Sequence, residues 1–145
     1  MTDIKKVDTY LDSHLDESIA ELSKLAAQPS VAAQNWGLSE CAEMVGEMLA
    51  ERGFSVDIMA TKGAPVVYGE LKGRSDKTLL FYNHYDVQPP DPLDLWESPP
   101  FAAEIRNGHL YARGVADNKG NLVARLAAVE AWLAVRGELP LNILF

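Results

Sequence analysis

Two short clusters in this sequence hold residue types at spacings that could do chemistry. The first is His84-Tyr85-Asp86, which closes the apolar run Leu79-Leu80-Phe81-Tyr82. An aspartate two residues after a histidine can accept a hydrogen bond from one ring nitrogen and leave the other free for a metal. A histidine at the end of a buried strand stands at the rim of a sheet, where α/β proteins place their chemistry. The second cluster is Ala112-Arg113-Gly114-Val115-Ala116-Asp117-Asn118-Lys119-Gly120, set between a short strand pattern and a helix. Together the two clusters amount to half of a metal site.

Spacing alone leaves other readings open. His84 and Asp86 could be a buried histidine capped by a carboxylate for structural reasons only. Asp117 could be a helix N-terminal aspartate favoured by the macrodipole. Gly114 and Gly120 could cradle a phosphate, although neither G-x-x-x-x-G-K-[ST] nor G-x-G-x-x-G is present. His14 and His109 are expected at the surface. Tyr82, Tyr85, Trp96 and Phe101 could line a pocket, but aromatics around a strand and loop more often pack.

The elements that must position these residues follow from periodicity. Ile4, Val7, Leu11, Leu15, Ile19, Leu22 and Leu25 recur at helical spacing, which predicts one long amphipathic helix over 3–27, ended by Pro29. A second helix is expected over 39–52, with Gly53 as its stop. Alternating residues predict a strand over 54–58, and apolar runs predict strands over 66–71 and 78–84. Five prolines between Tyr85 and Pro100 leave room only for a long, stiff loop, a length that often serves function. Asn107-Gly108 predicts a hairpin between 101–106 and 109–112. Leu122, Leu126, Val129 and Leu133 mark a helix closed by Gly137, and Leu141 to Phe145 reads as a further apolar strand. The expected fold is α/β, a mixed sheet flanked by helices.

The chain has 145 residues, 48% hydrophobic and 23% charged, which suits one soluble globular domain. A formal net charge of -8 disfavours nucleic acid or an anionic membrane as partner. Cys41 stands alone, which excludes an intrachain disulfide and fits a reducing compartment. Its place in an amphipathic helix points to a buried structural thiol. The first residues lack an apolar signal-peptide core, and the tract from Leu122 to Val135 is broken by Arg125 and Glu130. A cytoplasmic location is expected.

A resemblance sharpens these readings. Tyr82-Asn83-His84-Tyr85-Asp86-Val87-Gln88-Pro89, then Asp91-Pro92-Leu93-Asp94-Leu95-Trp96 and Ser98-Pro99-Pro100-Phe101, resembles the zinc-binding core of the co-catalytic metallopeptidases. That family includes glutamate carboxypeptidase, aminoacylase, succinyl-diaminopimelate desuccinylase and carnosinase-like dipeptidases. The stretch from His84 to Phe101 is most similar to the dipeptidase branch. Arg113 to Gly120 resembles the family's Gly-Arg-Gly-x-x-Asp-x-Lys-Gly segment, and Gln28-Pro29-Ser30-Val31 extends a looser likeness towards the start. Asn83 stands where the family commonly has glycine, and Ala112 replaces the first glycine of the second motif.

The resemblance implies that residues 1–145 are the N-terminal portion of a zinc-peptidase catalytic domain, without a lid or dimerisation domain. It implies two Zn(2+) per intact site, with His84 binding one zinc and Asp117 bridging both. Asp86 is implied as an active-site residue that fixes the imidazole of His84. A cis peptide is implied at Asp117-Asn118. Intact relatives, often homodimers, would hydrolyse dipeptides or N-acyl amino acids by attack of a metal-bridging water. The family's general-base glutamate pair and its remaining ligands have no match here, so the chain alone is expected to be inactive. The alternative is a catalytically inactive regulatory or interaction domain that keeps the scaffold. The strand 141–145 is expected to be interior, with neighbours that in an intact enzyme come partly from residues absent here, which would leave backbone groups unpaired and the chain prone to self-association.

Overall fold

Apolar periodicity builds four helices and six strands in the computed structural model, which describes residues 2–145. In chain order these are α1 (Asp3–Ser13), α2 (Leu15–Ala27), α3 (Leu38–Glu51), β1 (Ser55–Met59), β2 (Val66–Leu71), β3 (Thr78–Leu80), β4 (Glu104–Arg106), β5 (His109–Tyr111), α4 (Gly120–Arg136) and β6 (Asn142–Leu144). Four strands form a mixed sheet in the order β1-β2-β6-β3, and β4 pairs with β5 as a separate hairpin. β1–β2 and β2–β6 are antiparallel, whereas β3 and β6 run parallel. The α/β class expected from the sequence is the one observed.

Three expectations shift. The long first helix is two, broken at His14, whose backbone leaves helical geometry (φ -114°, ψ 17°). The His14 ring packs flat on Tyr10 at 3.8 Å, and its Nδ1 lies 2.8 Å from the Tyr10 carbonyl and 3.0 Å from the Ser13 hydroxyl. A side chain that competes for ladder carbonyls interrupts a helix, and it leaves His14 half-buried rather than on the surface. The strand expected over 78–84 is regular only to Leu80, because pairing with β6 ends where the Phe81 amide donates to the Leu144 carbonyl. The strand at 142–144 is interior, as expected, but both of its neighbours, β2 and β3, come from this chain, so its backbone is paired on both sides and the edges are β1 and β3.

The core joins α2, α3 and α4 to one face of the sheet through Leu25, Cys41, Val45, Leu49, Leu126 and Ile143. Alternation along the strands puts Met59, Val66, Tyr68 and Leu80 on the opposite face, where all four are exposed. Arg52 ties the helices together. Its guanidinium donates to both Glu21 oxygens at 2.9 Å and to the Met48 carbonyl at 3.0 Å, and it lies 2.9 Å from Glu130. The Arg52 side chain is only 12% exposed, so its partners lose a desolvated counter-charge if it is removed.

Two outcomes follow for the scaffold. Arg52→Met should lower unfolding stability by about 1–3 kcal/mol, less than a fully buried pair because Glu130 is partly solvated; urea denaturation measures this. The exposed β3 edge, with Leu79 and Leu80 uncovered, should drive self-association of the chain. Leu80→Lys should shift sedimentation towards the monomer, and an unchanged distribution would locate the contact elsewhere.

Candidate metal centre

β3 and α4 bring the two clusters together. His84 lies just past the C-terminal end of β3. Asp117 lies in a wide turn, Val115–Lys119, that leads into α4. Within that turn Asp117 is extended rather than helical (φ -135°, ψ 92°). This turns its carboxylate outward, and its side chain is 85% exposed. Gly114 opens the turn at φ +82°, and a Cβ there would meet Val87 Cγ1 at 2.2 Å. Only glycine lets the two segments approach so closely.

His84 Nε2 and Asp117 Oδ1 are 2.9 Å apart although 33 residues separate them in sequence. The other ring nitrogen, Nδ1, is 3.0 Å from the main-chain carbonyl of Asp86 and 3.3 Å from its carboxylate Oδ1. Asp86 thus faces the imidazole with both its main-chain carbonyl and its carboxylate, the carbonyl being the nearer. Burial pulls the His84 imidazole down, while the Asp86 carbonyl and the Asp117 carboxylate outweigh it and hold the ring above its ordinary value. The Asp117-Asn118 peptide is cis, the geometry the resemblance implies.

Neighbouring residues complete the surroundings. An apolar cavity of about 330 Å³ adjoins His84 and Asp86, with Val66, Tyr68, Leu80 and Tyr82 in its wall. Tyr85 donates to the Pro65 carbonyl at 2.6 Å, and burial pushes its phenol up to about 12. Trp96 donates to the Pro90 carbonyl at 2.7 Å, and Phe101 meets Trp36 edge-on at 5.3 Å. These three aromatics pack, while Tyr82 stands 82% exposed. Cys41 is wholly buried, and desolvation raises its thiol, which fits a structural role. His109 is exposed.

Sequence patterns gave no signal for the contacts of Arg125, Asn83 and Lys119. Arg125 donates to the Tyr82 carbonyl at 3.0 Å and to Asn83 Oδ1 at 2.7 Å, and the Asn83 amide reaches Asn118 at 3.5 Å. Lys119 is fully buried and donates to the carbonyls of Leu25 and Gln28. A lysine turned inward in this way cannot reach a phosphate lying on the turn. Among the described residues no group of three or more His, Cys, Asp or Glu side chains converges. The donors that meet are His84 and Asp117.

Comparison with known proteins places this geometry. Residues 80–145 match the profile of Peptidase family M20/M25/M40. The succinyl-diaminopimelate desuccinylase of Dechloromonas aromatica is 36% identical over 132 residues, which cover 90% of this chain and 34% of that protein. An M20 family metallo-carboxypeptidase from Sulfolobus solfataricus superposes with TM-score 0.84 at 43% identity, covering 88% of this chain and 29% of the other. Human carnosine dipeptidase 1 superposes with TM-score 0.89 at 32% identity, covering 97% and 33%. The chain thus spans about a third of the length of the relatives it matches. The profile match begins at the strand that delivers His84 and runs through Asp117, and with the superpositions it relates this part of the chain to peptidase family M20/M25/M40.

Proposed function

We infer that this chain supplies part of the dinuclear zinc site of a peptidase that hydrolyses dipeptides or N-acyl amino acids. His84 and Asp117 are its zinc ligands, and Asp86 holds the His84 ring. The observation that carries the reading is the 2.9 Å approach of His84 Nε2 to Asp117 Oδ1 at the sheet rim. Nδ1 faces a carbonyl, which only accepts, so that nitrogen keeps its proton. Nε2 faces a carboxylate, so without a metal a second proton is favoured there, in keeping with the raised imidazole. Loss of that proton leaves a nitrogen lone pair beside a carboxylate oxygen, a donor set that suits zinc. The exposure of Asp117 leaves its second oxygen accessible for a bridging role. When bound, zinc would supply a Lewis acid for the scissile carbonyl and acidify the attacking water.

Two donors fall short of the three protein ligands of zinc sites, and the chain spans about a third of its relatives. Residues 1–145 are therefore expected to bind zinc weakly and to turn over no dipeptide. The second reading, a non-catalytic domain on the same scaffold, draws on that same lack of a third converging donor among the described residues.

Calorimetric zinc titration tests the site. His84→Ala and Asp117→Ala should each abolish the heat of binding, and binding unaffected by both would end the reading. Zinc-dependent dipeptide hydrolysis that His84→Ala removes would show the site to be complete. The pH dependence has a fixed sign. Zinc must displace the Nε2 proton, so apparent affinity should fall about tenfold per unit as pH drops below the raised His84 value. Without metal the same contact stabilises the fold at acid pH and is lost as pH rises through that value. Zinc affinity that is flat between pH 5 and 8 (about the span of histidine titration) would count against His84 as a ligand.

A further inference from the structure

Residues Gln28–Val31 follow α2 and lie outside the pair of site side chains, yet both halves of the site are fastened to them. Ser30 is fully buried and donates its hydroxyl to the Tyr85 carbonyl at 2.7 Å. The Ser30 carbonyl accepts from the Val87 amide at 2.8 Å, and Val31 forms a parallel bridge with Val87. Both neighbours of Asp86 are thereby held to this turn. From the other side Lys119, two residues after Asp117, donates to the Gln28 carbonyl at 2.6 Å and to the Leu25 carbonyl at 3.0 Å. Gly37 closes over the turn, where a Cβ would meet the Pro29 carbonyl at 2.2 Å.

Lys119 is 0% exposed, and the partners of its ammonium are main-chain carbonyls. Burying a charge is costly unless its donors are satisfied. Here the carbonyls at the negative end of α2 satisfy two of them. An apolar side chain of similar length would fill the same space without that cost. What the ammonium adds over packing is direction, since it ties the Asp117 turn to one chosen pair of carbonyls.

We propose that the Gln28–Val31 turn is the common anchor that sets the separation of His84 and Asp117, with Ser30 and Lys119 as its positioning residues. The proposal rests on the zinc reading of that pair. It is tested on chain 1–145 with Lys119→Met, Ser30→Ala and the double variant. Zinc dissociation constants are read by competition with a chromophoric chelator, and folding of the zinc-free samples by circular dichroism. Each single variant should stay folded and bind zinc about 10–100-fold more weakly, the range seen when groups supporting metal ligands are lost. Because both loosen one distance, the double variant should lose less than the product of the single losses. Wild-type affinity in folded Lys119→Met or Ser30→Ala overturns the proposal, as do losses that simply multiply. If Lys119→Met fails to fold, Ser30→Ala decides alone, by the same criterion. Wild-type chain whose zinc binding is absent or indifferent to His84→Ala would instead overturn the zinc reading, and this proposal with it.

Discussion

Parallel pairing of β3 with β6 obliges the chain to return from one end of the sheet to the other between them, and α4 makes that return. A helix that begins the return starts at the rim where the first strand ends. The residues just past β3 and those just before α4 are then neighbours by necessity. His84 and Asp117 meet because of this crossover, not because of local sequence. The Pro-rich loop and the β4–β5 hairpin occupy the interval.

Electrostatics within the Val115–Lys119 turn is divided sharply. Asp117 is 85% exposed at the side chain, while Lys119, two residues on, is 0% exposed. The extended backbone at Asp117 makes this possible by interrupting the helical path. The anion is left where a cation can approach, and the cation is withdrawn to helix carbonyls where it cannot neutralise the site. Desolvation lowers the Lys119 ammonium from its ordinary value, so the buried charge depends on the two carbonyls that hold it. His84 sits in the opposite situation, with each ring nitrogen facing an acceptor.

Sequence patterns revealed elements whose order depends on their own residues. α4 and the Asn107-Gly108 hairpin lie where periodicity and turn chemistry set them. His84, Asp86 and Asp117 were legible because a resemblance joined two clusters that spacing alone could not connect. What stayed hidden depends on partners distant in the chain. The break at His14 needs the Tyr10 ring and carbonyl. The early end of β3 and the identity of the two strands that flank β6 are properties of pairing, which no single strand encodes. The burial of Lys119 depends on α2, whose terminal carbonyls hold its ammonium.

Asn83 shows how a departure from a family pattern can be misread. Tolerance of positive φ would explain asparagine in place of glycine, but the non-glycine residues with positive φ here are Asn35, Ala103 and Asn107. Asn83 is present for its side chain, which accepts from Arg125 at 2.7 Å and reaches Asn118 at 3.5 Å. Glycine could make neither contact. The site is thus gripped from two sides of unequal stiffness. The inner grip, through Ser30 and Lys119, uses buried groups and distances of 2.6–3.0 Å. The outer grip ends in a 3.5 Å contact, at the limit of a hydrogen bond. His84 and Asp117 are thus backed by short, buried contacts on the Gln28–Val31 side and by a longer one on the Asn83 side.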